Sequence, residues 1–132
     1  MGTSGAAFGS VLNMILTDYT FLYGQYGSLL GSHGMNLNAI SDDPFIRALK
    51  DVATTSAAPV LIGIGQESPP PSVAAIDTGV TAVAAALMNL NEAQPGEAAA
   101  AILGDTSDLN LMASSNANLL TNLWMQYKSD LS

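Results

Sequence analysis

The chain has no cysteine. No disulfide can staple its fold, and no thiolate is available as a nucleophile or a metal ligand. Positive charge is nearly as scarce. Arg47, Lys50 and Lys128 are the only basic residues among 132, against eleven Asp and Glu, for a net charge of −8. Nucleic-acid affinity grows with the number of phosphates that Lys and Arg neutralise, so no nucleic-acid partner is expected. Adsorption to an anionic membrane surface is disfavoured for the same reason. The longest apolar runs are short, so no transmembrane helix and no stable membrane insertion are expected. Met1 to Ser10 contain neither Lys nor Arg, the basic region that a secretory signal needs. The expected compartment is the cytoplasm, or the outside of the cell by a route independent of such a signal if the chain builds filaments.

Charge of either sign is thin. Only 11% of residues are charged, less than half the share in an ordinary soluble domain. Apolar residues make up 48%, too many for a disordered chain. A chain of 132 residues is long enough for one real core. We expect residues 1–132 to form a single helical domain, with a Pro-rich connection near 66–71.

What the sequence does have is helical periodicity. Phe8, Leu12, Ile15, Tyr19, Leu22, Tyr26 and Leu29 recur at alternating spacings of four and three, which is a heptad seam and not a strand alternation. Ser4 is a candidate N-cap for this first helix, and the glycines from Gly24 to Gly34 place its end near Gly31. Asp43 followed by Pro44 marks the start of a second, short helix over about 44–55, with Phe45, Ile46, Leu49, Val52 and Ala53 on one face and Arg47 and Lys50 off it. Residues 60–64 are apolar but too few to assign, and Pro69-Pro70-Pro71 must be extended. Ser72 then caps a helix over about 72–92, with a seam of Val73, Ile76, Val80, Val83, Leu87 and Leu90. A short Ala-rich helix over 96–103 closes at Gly104. The last helix, about 106–130, follows Asp105-Thr106-Ser107-Asp108, and Ala113, Ala117, Leu120, Trp124, Tyr127 and Leu131 form its seam. Asn110, Ser114, Asn118 and Thr121 are placed on its opposite face.

The expected fold is therefore all-α, with long amphipathic helices packed as a bundle or helical hairpin and joined by short helices. The first and last helices should run antiparallel, over a core that includes Leu12, Ile15, Leu22, Leu87, Leu120 and Trp124. The extended Pro-rich segment makes compact closure of all the helices awkward.

Few residues carry the pattern of chemistry. His33, the single histidine, adjoins Ser32, and Asp42 or Asp43 could complete a hydrolase triad. Adjacent Ser and His side chains do not face each other productively, and no nucleophile elbow is present. Gly63-Ile64-Gly65-Gln66-Glu67-Ser68 has part of a dinucleotide fingerprint, but Ser68 replaces the third glycine and prolines stand where the phosphate-binding helix must begin. Asp42-Asp43 and Asp105…Asp108 lack calcium-loop spacing and read as helix caps. No catalytic residue, metal ligand, cofactor or small-molecule substrate is expected.

The functional expectation comes from the thin charge. Between Met1 and Asp42 the only charge is Asp18. Solvated bundles usually cover their outer faces with Glu, Lys and Arg, whereas faces of Ala, Gly, Ser, Thr and Asn can be covered by a neighbour at little desolvation cost. This predicts a non-catalytic, self-assembling subunit of a homopolymer of filament, sheath or coat type, with itself as partner. The alternative is a helical interaction module, such as an adaptor or secretion chaperone. Candidate contact residues are Leu12, Tyr19, Tyr23, Tyr26, Asn110, Asn118, Trp124 and Tyr127, with the acids left on exposed rims.

Overall fold

In a computed structural model, residues 3–58 and 72–131 are described, and they form six helices. These are α1 (Thr3–Ser32), α2 (Leu37–Asp42), α3 (Pro44–Ser56), α4 (Val73–Glu92), α5 (Glu97–Leu103) and α6 (Ser107–Leu131). No strand occurs among the described residues, so the all-α reading holds. The apolar run 60–64, the partial fingerprint and the Pro-rich connection lie outside them.

The four longer helices close a ring. α1 packs on α3, α3 on α4, α4 on α6, and α6 back on α1. α1 and α4 therefore stand across one diagonal, and α3 and α6 across the other. α1 and α6 are antiparallel: Phe8 meets Trp124 and Tyr127, while Tyr19, further along α1, reaches back to Asn116. α4 and α6 are antiparallel too, since Asp77 bonds Trp124 and the carbonyl of Leu90 bonds Asn110. The anticipated obstacle to closure is absent. α3 packs directly on α4, so the four longer helices close on one another among the described residues.

Local chemistry explains the helix ends. Asp43 Oδ2 accepts hydrogen bonds from the amides of Phe45 and Ile46 at 3.0 and 3.1 Å, with Pro44 at the first helical position. Ser72 Oγ accepts from Ala75 N at 3.1 Å, and Asn36 Oδ1 from Ala39 N at 2.8 Å. Gly104 closes α5 at φ +72°, a backbone region that favours glycine. Ser4 is not a cap. The helix already begins at Thr3, and Ser4 Oγ is buried with no hydrogen-bond partner among the described residues. α2 itself was not legible in the sequence, because six residues carry no periodicity.

The core follows the seams, with one systematic departure. Phe8, Leu12, Ile15 and Tyr19 are buried, but Leu22 is only partly buried and Leu29 is exposed, while Leu30 is fully buried. A straight α-helix drifts by about 20° per heptad against a 3.5-residue repeat. Three heptads after Phe8 the seam has rotated off the core, and Leu30 has rotated in. Val73 and Leu131, the end members of the α4 and α6 seams, are exposed, and the residues between them are buried.

Candidate assembly surface

The two ends of the bundle are tied by different groups. At one end Phe8, Trp124 and Tyr127 cluster, with ring centroids 5.3 to 6.0 Å apart. Gly5 permits this approach, because a Cβ there would lie 2.8 Å from Tyr127 Cε1. The indole Nε1 of Trp124 donates to Asp77 Oδ1 at 2.9 Å, and Lys128 Nζ lies 3.5 Å from the same oxygen. The indole hydrogen bond first, and the ammonium second, hold the Asp77 carboxyl below its ordinary range.

At the other end the ties are polar and buried. Asn110 Nδ2 donates to the carbonyls of Leu90 and Ala93 at 2.7 and 2.8 Å, which satisfies the frayed end of α4, and its Oδ1 accepts from Thr106 Oγ1 at 2.9 Å. Asp43 uses its second oxygen, Oδ1, to accept from Gly96 N at 2.7 Å, which fixes the loop before α5 to the start of α3. Midway along the bundle, Asn116 Nδ2 donates to Tyr19 Oη at 3.0 Å. Burial pushes the Tyr19 phenol up, against the opposing pull of that hydrogen bond.

These ties locate the predicted contact residues. Leu12, Tyr19, Asn110, Trp124 and Tyr127 are buried in the chain's own core. Tyr23 and Tyr26 are partly buried, Tyr26 edge-on to Phe45. Of the eight, only Asn118 is exposed. Asn110 was misplaced because it lies on the flank of α6 that turns toward α4, where backbone carbonyls recruit it. Ser114 and Thr121 share that flank and are partly buried.

The true outward face of α6 is Leu111, Ser115, Asn118, Asn122 and Met125, with Met112 and Leu119 beside it. Leu111 and Met125 are 65% and 63% exposed. The outward face of α1 is Ser10, Met14, Thr17, Phe21, Gly24 and Ser28, all exposed, with Phe21 at 65%. Neither strip contains a charge, and Asp18 stands beside the second. Sequence reasoning found the uncharged character but missed Phe21, Leu111 and Met125. The signal for them is an apolar side chain set opposite the heptad seam.

α4 carries a further uncharged outward strip, of Ala74, Thr78, Thr81 and Ala85, with Ala82 and Met88 beside it. The mean hydropathy of α4 reaches 1.6 over 18 residues, so α4 is long and apolar enough to cross a membrane by length and composition alone, a test that a packed core helix also passes. One-third of that window is buried, the inward seam against α3 and α6.

The remaining polar groups act locally. Ser32 Oγ donates to the carbonyl of Leu29 at 2.8 Å, and His33 Nδ1 lies 2.9 Å from the same oxygen, so both side chains bond the last turn of α1. Both oxygens of Asp43 are occupied by backbone amides. Asp105 Oδ1 accepts from the hydroxyl and amide of Ser107, in that order of effect, and its carboxyl is held below the ordinary range. No group of three or more acidic or histidine side chains among the described residues could hold a metal. An open groove of about 230 Å³ lies between α2 and α5, lined by Met35, Ala39, Asp42, Asp43, Gly96 and Glu97. Its deepest carboxylate, Asp43, is already committed to backbone amides. No protein family, curated protein or solved structure matches the chain.

Proposed function

We propose that the protein is a non-catalytic, self-assembling helical subunit of a homopolymeric structure, of filament, sheath or coat type. The observation that carries this reading is the absence of charge on the outward faces of α1 and α6, combined with large apolar side chains on both. A solvated face of a bundle ordinarily carries Lys, Glu and Arg. Here α6 has no charge between Asp108 and Lys128, and α1 has only Asp18. Covering Leu111, Leu119 and Met125, or Met14 and Phe21, removes apolar area from water at about 25 cal/mol per Å². The polar groups between them are hydroxyls and amides, which desolvate cheaply when they are paired.

Two partners fit poorly. A polyanion meets a chain of net charge −8, and a bilayer would have to dissolve the packed seam of α4. No cofactor or small-molecule substrate enters the reading. An adaptor or secretion chaperone would instead form a small closed species.

The test places one charge on the outward face of α6. Asn118→Lys should weaken or abolish assembly, followed by light scattering and negative-stain microscopy, because a cation would be buried unpaired. The fold should be unaffected, since Asn118 is exposed. If oligomeric state and unfolding midpoint are both unchanged, that face is solvent-exposed in the working protein and the assignment is wrong.

A further inference from the structure

α1 is held unevenly along its length. Up to Tyr19 a buried residue recurs at least every fourth position: Ser4, Phe8, Leu12, Ile15 and Tyr19. The next buried residue is Leu30, so none of the ten residues 20–29 is buried. In α3, α4 and α6 no more than three residues separate successive buried ones. The gap follows from the drift of the α1 seam, which leaves the core near Leu22 and is not replaced until Leu30 turns in. It covers about 15 Å of helix. The ring contact there is that of Tyr26, edge-on to Phe45 with 6.1 Å between centroids. No side chain from 20 to 29 makes a hydrogen bond among the described residues.

The same span contains Gly24 and Gly27. Neither has a positive φ, and neither has an atom within 4 Å of where a Cβ would stand. No turn and no close approach within the chain calls for glycine, and alanine would fit at both positions. Glycine is the poorest helix former short of proline, because ordering it costs the most backbone freedom. Packing and intrinsic helix preference are therefore both weakest over the same residues, for unrelated reasons.

The two flanks are firmly tied. Before the gap, Phe8 packs on Trp124 and Tyr127, and Tyr19 Oη accepts from Asn116. After it, Leu30 is fully buried, and Ser32 Oγ donates to the carbonyl of Leu29. Met35 N donates to the carbonyl of Leu30 at 3.1 Å and Gly34 N to that of Gly31 at 3.0 Å, with Gly34 at φ +90°. Two such bonds around a left-handed glycine close a helix end tightly.

We infer that residues 20–29 of α1 are a hinge, which opens locally while the segments on either side keep their places. Opening lets the corner formed by the end of α1 and α2 shift without unseating the aromatic cluster around Phe8. The shift stops at Asp43, which is pinned to the Gly96 amide. Segments with few buried contacts and exposed backbone hydrogen bonds are where folded proteins open first, and hinges are drawn from them. The inference concerns a single chain and is independent of the self-assembly reading.

Amide hydrogen exchange of the dilute full chain, in a urea series below the unfolding transition, tests it. Corrected for intrinsic rates, amides 24–28 should exchange about tenfold faster than amides 12–19 or faster still, through an opening that does not respond to urea, because local opening exposes little surface. Gly24→Ala and Gly27→Ala should each slow exchange at 24–28 about fourfold to fivefold, and together roughly 20-fold. Gly9→Ala is the control, since Gly9 also has open space around it but lies in the tied half. It should leave exchange at 24–28 unchanged. Equal slowing by Gly9→Ala, or one urea dependence shared by both segments, would mean that α1 opens as a unit and would overturn the hinge. Unchanged exchange in Gly24→Ala and Gly27→Ala would overturn it too, and loss of assembly in those variants would then assign the glycines to a contact between copies. A chain that stays monomeric at every concentration yet shows the expected exchange pattern would sink the self-assembly reading and leave the hinge standing.

Discussion

The aromatic end and the polar end of this bundle do the same job by opposite means. At the first, Phe8, Trp124 and Tyr127 exclude water, and one half-exposed carboxylate, Asp77, accepts a hydrogen bond from the indole N–H. At the second, Asn110 and Asp43 reach between elements to satisfy backbone groups that helix ends leave open. Apolar contact is non-directional and tolerates small shifts. A buried hydrogen bond gains little net energy when made, and costs the desolvation of its partner when lost. The aromatic end should therefore supply most of the stability, and the polar end should fix which loops and helices meet.

The largest expected effect breaks the aromatic end. Trp124→Ala should lower unfolding free energy by about 3–5 kcal/mol, measured by urea denaturation, because it opens a cavity among fully packed rings. A loss below about 1 kcal/mol would show that this end is not the main source of stability. Asn110→Ala comes next, at about 1–3 kcal/mol, since it strands the carbonyls of Leu90 and Ala93 and the hydroxyl of Thr106. The two sites are about 21 Å apart along α6. Their effects should add to within about 0.5 kcal/mol in the double variant, and a larger coupling would mean that the ends do not act independently.

Asp43→Ala should cost about 1–2 kcal/mol through the lost cap. It should also raise amide exchange at Gly96, whose hydrogen bond to Asp43 spans 53 residues of sequence. Asp43→Asn keeps one acceptor oxygen where Asp43 uses two, so it should restore the cap to Phe45 and Ile46 but not the protection of Gly96. The smallest effect concerns Asp77. Its folded carboxyl is held below the unfolded value, so its contribution is present above the ordinary carboxylate range and is lost as pH falls through the folded value. Asp77→Asn should flatten that acid limb by lowering stability above the carboxylate range, with variant and wild type converging as pH falls through the folded value. An acid limb identical to wild type would show that the Trp124 contact is independent of charge.

Much of this was legible in residue spacing. The seams of α1, α4 and α6, the Asp43-Pro44 start, the Ser72 cap and the Gly104 stop depend on interactions within a turn or two of helix, which the sequence states directly. Leu29 and Leu22 were misjudged because a heptad written as a straight line ignores the drift of a real helix. Asn110 was misjudged because its partners, Leu90 and Ala93, are 20 and 17 residues away. Five of the predicted contact residues lie in the chain's own core for a related reason. Large aromatic side chains serve a core and an interface equally well, and only the arrangement of helices decides between them.

Residue spacing and composition decided every helix but α2, most of the inward faces and the poverty of charge, because periodicity, capping and composition are properties of neighbouring residues. They could not determine that α1 and α4 stand on opposite sides of a closed ring with α3 and α6 between them. Helices with similar apolar seams can pack in more than one order, since burial of apolar area has no direction of its own. The order is settled by contacts between residues far apart in the chain, among them Phe8 with Trp124, Asp77 with Trp124, and Asn110 with Leu90. Those contacts turn Phe21, Leu111 and Met125 outward, and make the uncharged strips of α1 and α4 faces that point apart.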